Sequence, residues 1–488
     1  MSLNALLFSA STDDSAPAFT DGATDYTRGG FLCVVSAWQS VLRAGGVGAG
    51  DTVAICGPKD LRSVALIYAC LLSGIVWAPL DDHAPEARLR TILDDCTPKA
   101  FYNKHSERAL SVAGSPFALE LPSVLPASPA VSRALVDDEE PAYLMYTSGS
   151  TGAPKGVLVS RKSLEVFLVN AIRAAGYSAT TRFLSFFPLH FDPVLMEIFG
   201  PWITGGRCHL FRGMKVPNDL LFELADSHIT DLSCTPNVID LLTSRFSAYR
   251  DVELPSLRTI WMGGDKPNLA AISRFRDRYP SVLLYNGYGP TECVVACALH
   301  RIPDTSTSDT DLGIGVPFPG VHFRLDGVAD DRDGTGELLI GGAQQMIGYY
   351  RDEERTADAF AIDHQSGRRF YRTGDLFDRI DGQYFFRGRR SRMFKIRGFR
   401  VDPSEIEAAI MSATTPAVSR VYAYLVDASV PYIRAEIETQ EKSHDSDGLA
   451  GRIAEKLPDY MHPEEFRYWR TFPLLTNGKT DYKIMEIS

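Results

Sequence analysis

The sequence predicts an α/β protein. A large N-terminal domain of α/β sheet subdomains carries a β-rich subdomain, and a small C-terminal α+β domain follows. Three observations predict it. Short apolar strands alternate with helical patterns as far as Gly287. The polar, glycine-bearing segments repeatedly follow those strands. From Gly313 onward, glycines crowd between short strand-like runs. The 488 residues suffice for roughly three packed units.

A helical pattern includes Ser40 to Leu42, and Thr52 to Cys56 is a short apolar strand. Leu61 to Leu72 reads as a helix stopped near Gly74, where glycine interrupts the apolar pattern. Val76 to Leu80 is the next strand, followed by Pro85 and a helix through Leu93. Pro122 to Pro129 is a small-residue connection to the strand at Tyr143 to Tyr146. The alternation then resumes, with strands expected at Phe183 to Pro188, Asp231 to Cys234, Leu257 to Met262 and Val282 to Tyr285, and a helix including Leu220 to Ala225. In open α/β sheets, ligands bind beyond the carboxyl ends of strands, which is where the functional-looking residues fall. Gly313, Gly315, Gly320, Gly327, Gly334 and Gly336 punctuate the β-rich part, expected over about 313–388. The expected division is 1–388 for the N-terminal core and 389–488 for the C-terminal domain, whose helix starts at Asp402-Pro403-Ser404-Glu405.

Composition excludes several classes. The net charge of -11 supplies no global field for nucleic acid, and no nucleic-acid partner is expected. No basic leader with a long apolar core opens the chain, and no run approaches the roughly 20 apolar residues of a membrane span. No membrane insertion is expected, and the expected setting is cytoplasmic. The eight cysteines are scattered without a CxxC pair or disulfide-like framework.

The strongest local feature is Tyr146-Thr147-Ser148-Gly149-Ser150-Thr151-Gly152-Ala153-Pro154-Lys155-Gly156. Glycines let backbone amides approach a phosphate, four hydroxyls add donors, and Lys155 adds charge. The string lacks the GxxxxGK[ST] order of a Walker loop.

With its companions, this string resembles the adenylate-forming superfamily of acyl-CoA synthetases, firefly luciferase and nonribosomal peptide synthetase adenylation domains. The companions are Leu80-Asp81, Asn286-Gly287-Tyr288-Gly289-Pro290-Thr291-Glu292, Tyr371-Arg372-Thr373-Gly374-Asp375, Phe394-Lys395-Ile396-Arg397-Gly398-Phe399-Arg400 and Asn477-Gly478-Lys479, in the family's order over nearly the whole chain. The resemblance implies ATP and Mg2+ as cofactors. It places Thr147, Ser148, Gly149, Ser150, Thr151, Gly152 and Lys155 around phosphate, and Gly264, Asp265, Asn286, Gly287 and Gly289 around the nucleotide. Tyr288 is expected to stack on adenine, Asp375 to hold the ribose with help from Arg389, Thr291 to approach the α-phosphate and Glu292 to ligate the metal. Lys155, Thr291, Glu292 and Lys479 form the expected catalytic set. Lys479 bridges acyl carboxylate and phosphate, and Lys483 competes for that assignment. Taken singly, Glu292 reads equally as a cap, Tyr288 as a core aromatic, Asp375 as a turn residue and Lys479 as a turn lysine.

The family's second step is thioester formation, reached by rotation of a mobile C-terminal domain about a hinge expected at Gly388-Arg389-Arg390-Ser391-Arg392. Ser391 stands where many relatives carry aspartate. Lys395 lies on the face expected to enter for that step. The basic run Arg387, Arg389, Arg390, Arg392, Lys395, Arg397 and Arg400 reads as a carrier-docking face, a phosphate contact or a solvated stretch.

Phe186 to Met196 resembles the substrate motif of amino-acid adenylation domains, with Asp192 at the aspartate that holds an α-ammonium group. The same comparison lines the pocket with His190, Asp192, Pro193, Met196, Cys234, Trp261, Gly263, Gly287, Val295 and Ala296. Trp261 fills volume and implies glycine, alanine or another small amino acid. Turned aside, it leaves room for a larger apolar acid. The chain ends at Ser488, so the expected acceptor is the phosphopantetheine arm of a separate acyl or peptidyl carrier protein. The rival readings are an acyl- or aryl-CoA ligase and a nucleotide-binding interaction protein without catalysis.

Overall fold

The computed structural model describes residues 2–9, 13–22, 24–104, 116–147, 154–211, 213, 217–244, 247–265, 267–303, 312–328, 332–363, 366–389, 392–414, 418–428, 430–439, 445–473 and 482–487. Two compact units result. The first comprises Met1–Asp82, Cys96–Met145 and Gly156–Arg390; the second comprises His83–Asp95, Tyr146–Lys155 and Ser391–Ser488.

The first unit carries the expected α/β sheets. Among the described residues, a nine-stranded sheet has at its centre the parallel strands Leu283–Tyr288, Thr259–Gly263, Asp231–Cys234, Arg182–Ser185 and Arg207–Leu210. A second sheet contains Val76–Leu80 paired in parallel with Thr52–Cys56. The intervening chain forms helices because the pattern and the caps agree. Asp60 accepts from Ser63 N at 2.9 Å to start Leu61–Leu72, and Gly74 at φ +72° turns the chain after it. The helical pattern at Ser40 to Leu42 belongs to a longer helix, Arg28–Ala44, capped by Thr27.

Helix Val194–Thr204 is buried from Val194 to Ile203, which explains its apolar sequence on every side. Its own Phe199 and Trp202 pack with Phe19, Phe31 and Tyr68 from outside the helix, with Phe19–Phe31 centroids 4.4 Å apart and Tyr68–Phe199 4.8 Å. Each such ring contributes roughly 1.5–3 kcal/mol of burial. The expected strand at Phe183 to Pro188 is shorter, Arg182–Ser185, because the chain leaves the sheet to meet this helix.

The glycine-punctuated region forms an antiparallel sheet of Val321–Leu325, Gly334–Gly342, Arg369–Ile380, Phe360–Ile362 and Gln383–Arg389. In the second unit, Val418–Val426 and Glu465–Trp469 flank Tyr432–Thr439. Helix Pro403–Ala413 covers this sheet, its N-cap Asp402 accepting from Ser404 N at 3.0 Å. Glu436 is wholly buried, satisfied by Tyr424 Oη at 3.0 Å and Trp469 Nε1 at 2.6 Å. Among the described residues, no helix is long and apolar enough to cross a membrane.

His300 lies on strand Ala298–Arg301, opposite Asn286, and burial holds its imidazole below the ordinary value of 6.5. The folded state therefore binds fewer protons than the unfolded chain. Stability is complete above about pH 6.5 and falls as pH drops through the folded value. Urea midpoints should decline on acidification below pH 6.5, and His300→Gln should flatten that decline. An unchanged slope in the variant would contradict the assignment.

Candidate active site

The site is built at the carboxyl ends of parallel strands. The ladder pairs Ser233 with Trp261 and Trp261 with Tyr285, then Gly263 with Gly287. Residues in register share a sheet face. Trp261 therefore lies with Gly263 and Gly287 on one side, and it packs in a buried cluster with Met196, Val294 and Ala296. Val295 packs against the same cluster. Cys234 pairs with Met262 and packs with Leu284 in a different cluster, so the structure does not bring it to the Trp261 group. A one-residue offset along a strand decides the face. Trp261 is 4% exposed and its Nε1 has no hydrogen-bond partner.

Beyond Tyr288 the chain reverses tightly. Gly289 permits this: a Cβ there would sit 2.6 Å from Ala296 Cα and 2.7 Å from Val295 O. Thr291–Cys293 form a short 3-10 turn, then Val294 and Val295 adopt φ +55° and +65°. Left-handed backbone at two β-branched residues costs on the order of 1–3 kcal/mol each. Gln344 holds the turn, its Nε2 lying 2.9 Å from Cys293 O, 3.1 Å from Val294 O and 2.5 Å from Ala296 O. Met346 N adds a bond to Glu292 O at 2.7 Å. Glu292 is fully buried, and its Oε1 accepts from Tyr349 Oη at 2.8 Å.

Asp375 reaches the same place from the antiparallel sheet. Gly374 takes φ +70°, and Asp375 N donates to Thr373 Oγ1 at 3.0 Å. Tyr288 Oη donates to Asp375 Oδ2 at 2.7 Å, while Phe377 meets the Tyr288 ring edge-on at 5.1 Å. Two of the sequence motifs, 286–292 and 371–375, are thus joined directly. Arg389 stands opposite Asp375 in the ladder. Asn286 is buried with its Nδ2 3.4 Å from Gly313 O; Gly264 takes φ +91°, and Asp265 is exposed.

The segment 186–196 leaves strand Arg182–Ser185 and enters helix Val194–Thr204. Pro193 occupies the N-cap position, so Asp192 stands one residue outside it. Asp192 is buried at 7% exposure. Its charge, after burial itself, helps push the Tyr143 phenol up, and that fully buried hydroxyl has no hydrogen-bond partner. His190 Nε2 lies 3.9 Å from Asp81 Oδ2. Sequence reasoning missed Tyr349, Gln344 and Tyr143, as well as Glu197, although a lone glutamate in an apolar helix was a readable signal.

In the second unit, Thr147 ends strand Pro141–Thr147 with a buried Oγ1 that has no hydrogen-bond partner, and Lys155 opens strand Lys155–Ser160 half-buried. Ser148, Gly149, Ser150, Thr151, Gly152, Arg390, Ser391 and Lys479 lie outside the described residues, as do the Arg389 and Lys483 side chains. The basic run is partly engaged within each unit: Arg387 with Asp378, Arg392 with Glu407 and Arg397 with Glu464.

The AMP-binding enzyme family matches residues 8–350. Malpinin synthetase of Mortierella alpina is 30% identical over 474 residues, covering 90% of this chain but 6% of its own length. The chain therefore spans a small part of that relative. The D-alanine–D-alanyl carrier protein ligase of Staphylococcus aureus is 29% identical over 424 residues, covering 86% of this chain and 85% of its own. In fold, o-succinylbenzoate CoA synthetase of Bacillus subtilis superposes with a TM-score of 0.87 at 21% identity, covering 99% of this chain and 98% of its own.

Gly289→Ala should destabilise the first unit by roughly 1–3 kcal/mol, because its Cβ meets backbone that cannot yield freely. Urea unfolding measures this, and a variant as stable as the parent would contradict the tight reversal.

Proposed function

Because the chain belongs to the AMP-binding enzyme family of adenylate-forming ligases, we propose that it activates a small amino acid with ATP and passes the aminoacyl group to the phosphopantetheine thiol of a separate carrier protein. The observation that carries the amino-acid reading is Asp192. It is a buried carboxylate outside the helix-capping position, four residues before Met196, which packs with Trp261. A carboxylate at this place offers the opposite charge to a substrate α-ammonium group, and a charge-assisted hydrogen bond between the two is the strong kind. Trp261 occupies the apolar cluster, which favours glycine or alanine, and the relationship to a D-alanine ligase points the same way.

In the first step, a carboxylate oxygen bonds to the α-phosphorus of ATP and the bond to the pyrophosphate oxygen breaks. Asp375 and Tyr288 hold the nucleoside, and Thr291 faces the α-phosphate. Lys155 and Lys479 offset developing charge as cationic side chains. Gly264, Asp265, Asn286 and Gly287 border the base, with Arg389 supporting the ribose end. Glu292 fits Mg2+: it is a hard oxygen ligand, and Tyr349 orients it. A single carboxylate from the chain suits an ion whose remaining ligands are substrate phosphates and water. Bound with ATP, Mg2+ would neutralise phosphate charge.

In the second step, the carrier thiolate attacks the acyl carbon and AMP leaves with the former carboxylate oxygen. Rotation of residues 389–488 about the segment at Gly388 accompanies this change. Gly388 has φ +138°, a backbone state that glycine adopts most readily.

ATP–pyrophosphate exchange across amino, fatty and aryl acids tests the reading. Exchange should depend on small amino acids, and Asp192→Ala should raise the amino-acid KM by tenfold or more. Exchange with fatty or aryl acids alone would replace the reading with a CoA-ligase one. Lys479→Ala should cut pyrophosphate exchange by at least a hundredfold while leaving thioester formation from supplied aminoacyl-adenylate within about threefold. Unchanged exchange would remove Lys479 from the first step.

A further inference from the structure

The segment carrying His190, Asp192, Pro193 and Met196 has no regular structure between Ser185 and Val194, yet a substrate-binding wall must be fixed to within a fraction of an ångström. Two charged side chains outside the family motifs close it. Glu197, wholly buried on helix Val194–Thr204, accepts from Ser185 Oγ at 2.9 Å, from Ser233 Oγ at 2.5 Å and from Phe187 N at 3.2 Å. Lys59, in the connection between strand Thr52–Cys56 and helix Leu61–Leu72, donates to Ser185 O and, at 2.9 Å, to Phe187 O. Both peptide groups of Phe187 are therefore held, one through its N–H and one through its carbonyl.

The order propagates along the segment. Phe191 N bonds to Pro188 O at 3.1 Å, Val194 N to Phe191 O at 3.1 Å and Leu195 N to Asp192 O at 3.0 Å. The Phe187 and Phe191 rings meet at 5.3 Å. Ser185 and Glu197 close a loop of which the candidate acid-binding residues are members.

We propose that Lys59 is a positioning residue of the acyl pocket: its ammonium caps two backbone carbonyls beside Glu197 and so sets where His190 and Asp192 stand. This rests on the reading of 185–197 as the wall that receives the acid. Burial raises the Glu197 carboxyl and Lys59 opposes that rise, as an ammonium beside a buried carboxylate must. An uncharged side chain of equal length would avoid the desolvation cost of the pair. What it could not do is donate to both carbonyls.

The test compares Lys59→Met and the Lys59→Met/Glu197→Gln double variant with the parent in pyrophosphate exchange, using whichever acid the parent activates best. Lys59→Met should raise the KM for the acid about tenfold and leave the KM for ATP within twofold. The double variant has no uncompensated buried charge. It should melt within a few degrees of the parent and keep the raised acid KM, so a folding failure of the single variant does not decide the matter. An acid KM unchanged in either variant, or acid and ATP KM values rising in parallel, would overturn the proposal. Failure of the amino-acid reading would appear separately, in the acid preference of the parent.

Discussion

Four parallel strands held in register, Arg182–Ser185, Asp231–Cys234, Thr259–Gly263 and Leu283–Tyr288, govern the geometry of the first unit. Their carboxyl ends fall side by side, so four chain reversals open at one edge of one sheet. At the end of one strand and one residue short of the end of its neighbour, Gly263 and Gly287 stand in register, and a Cβ on Gly263 would sit 3.2 Å from Gly287 O. The strained turn at Val294 and Val295 follows from the next reversal, where Gly289 lies against the backbone of Ala296. Gln344 offsets that strain by donating to the carbonyls of Cys293, Val294 and Ala296, the second of which also accepts from Ala296 N.

Buried carboxylates mark the same edge. Glu197, Glu292 and Asp375 are each almost wholly removed from solvent. Each has a hydroxyl donor from another part of the chain: Ser185 and Ser233, Tyr349, and Tyr288. A core tolerates such groups only when their hydrogen bonds are made. The donors also fix the rotamers, and preorganised groups of this kind cost little reorganisation when charge develops on a ligand.

Much of this was legible in the sequence because it is local. Strands such as Thr52–Cys56 and Asp231–Cys234, the helix Leu61–Leu72 and the helix start at residues 402–405 are set by neighbours within a turn or a strand length. The motif text brought Tyr288, Glu292 and Asp375 forward, and the fold joins Tyr288 to Asp375. Three kinds of information were absent. The face of Cys234 depends on a register offset of one residue, which composition does not encode. The end of the strand at Ser185 depends on Lys59 and Glu197, partners far from it along the chain or across a bend. The roles of Tyr349 and Gln344 depend on contacts with residues 292–296, some fifty positions away.

The central claim is chemical: a carboxylate attacks the α-phosphorus of ATP, and AMP later departs with one of the acid's oxygens. Oxygen-isotope transfer measures this directly. With an amino acid labelled with 18O in its carboxylate, a complete turnover to carrier thioester should leave one 18O in AMP, read by mass spectrometry, and none in pyrophosphate. Unlabelled AMP, or label recovered in inorganic phosphate alongside ADP, would contradict acyl-adenylate formation and the assignment of the site around Tyr288, Glu292 and Asp375.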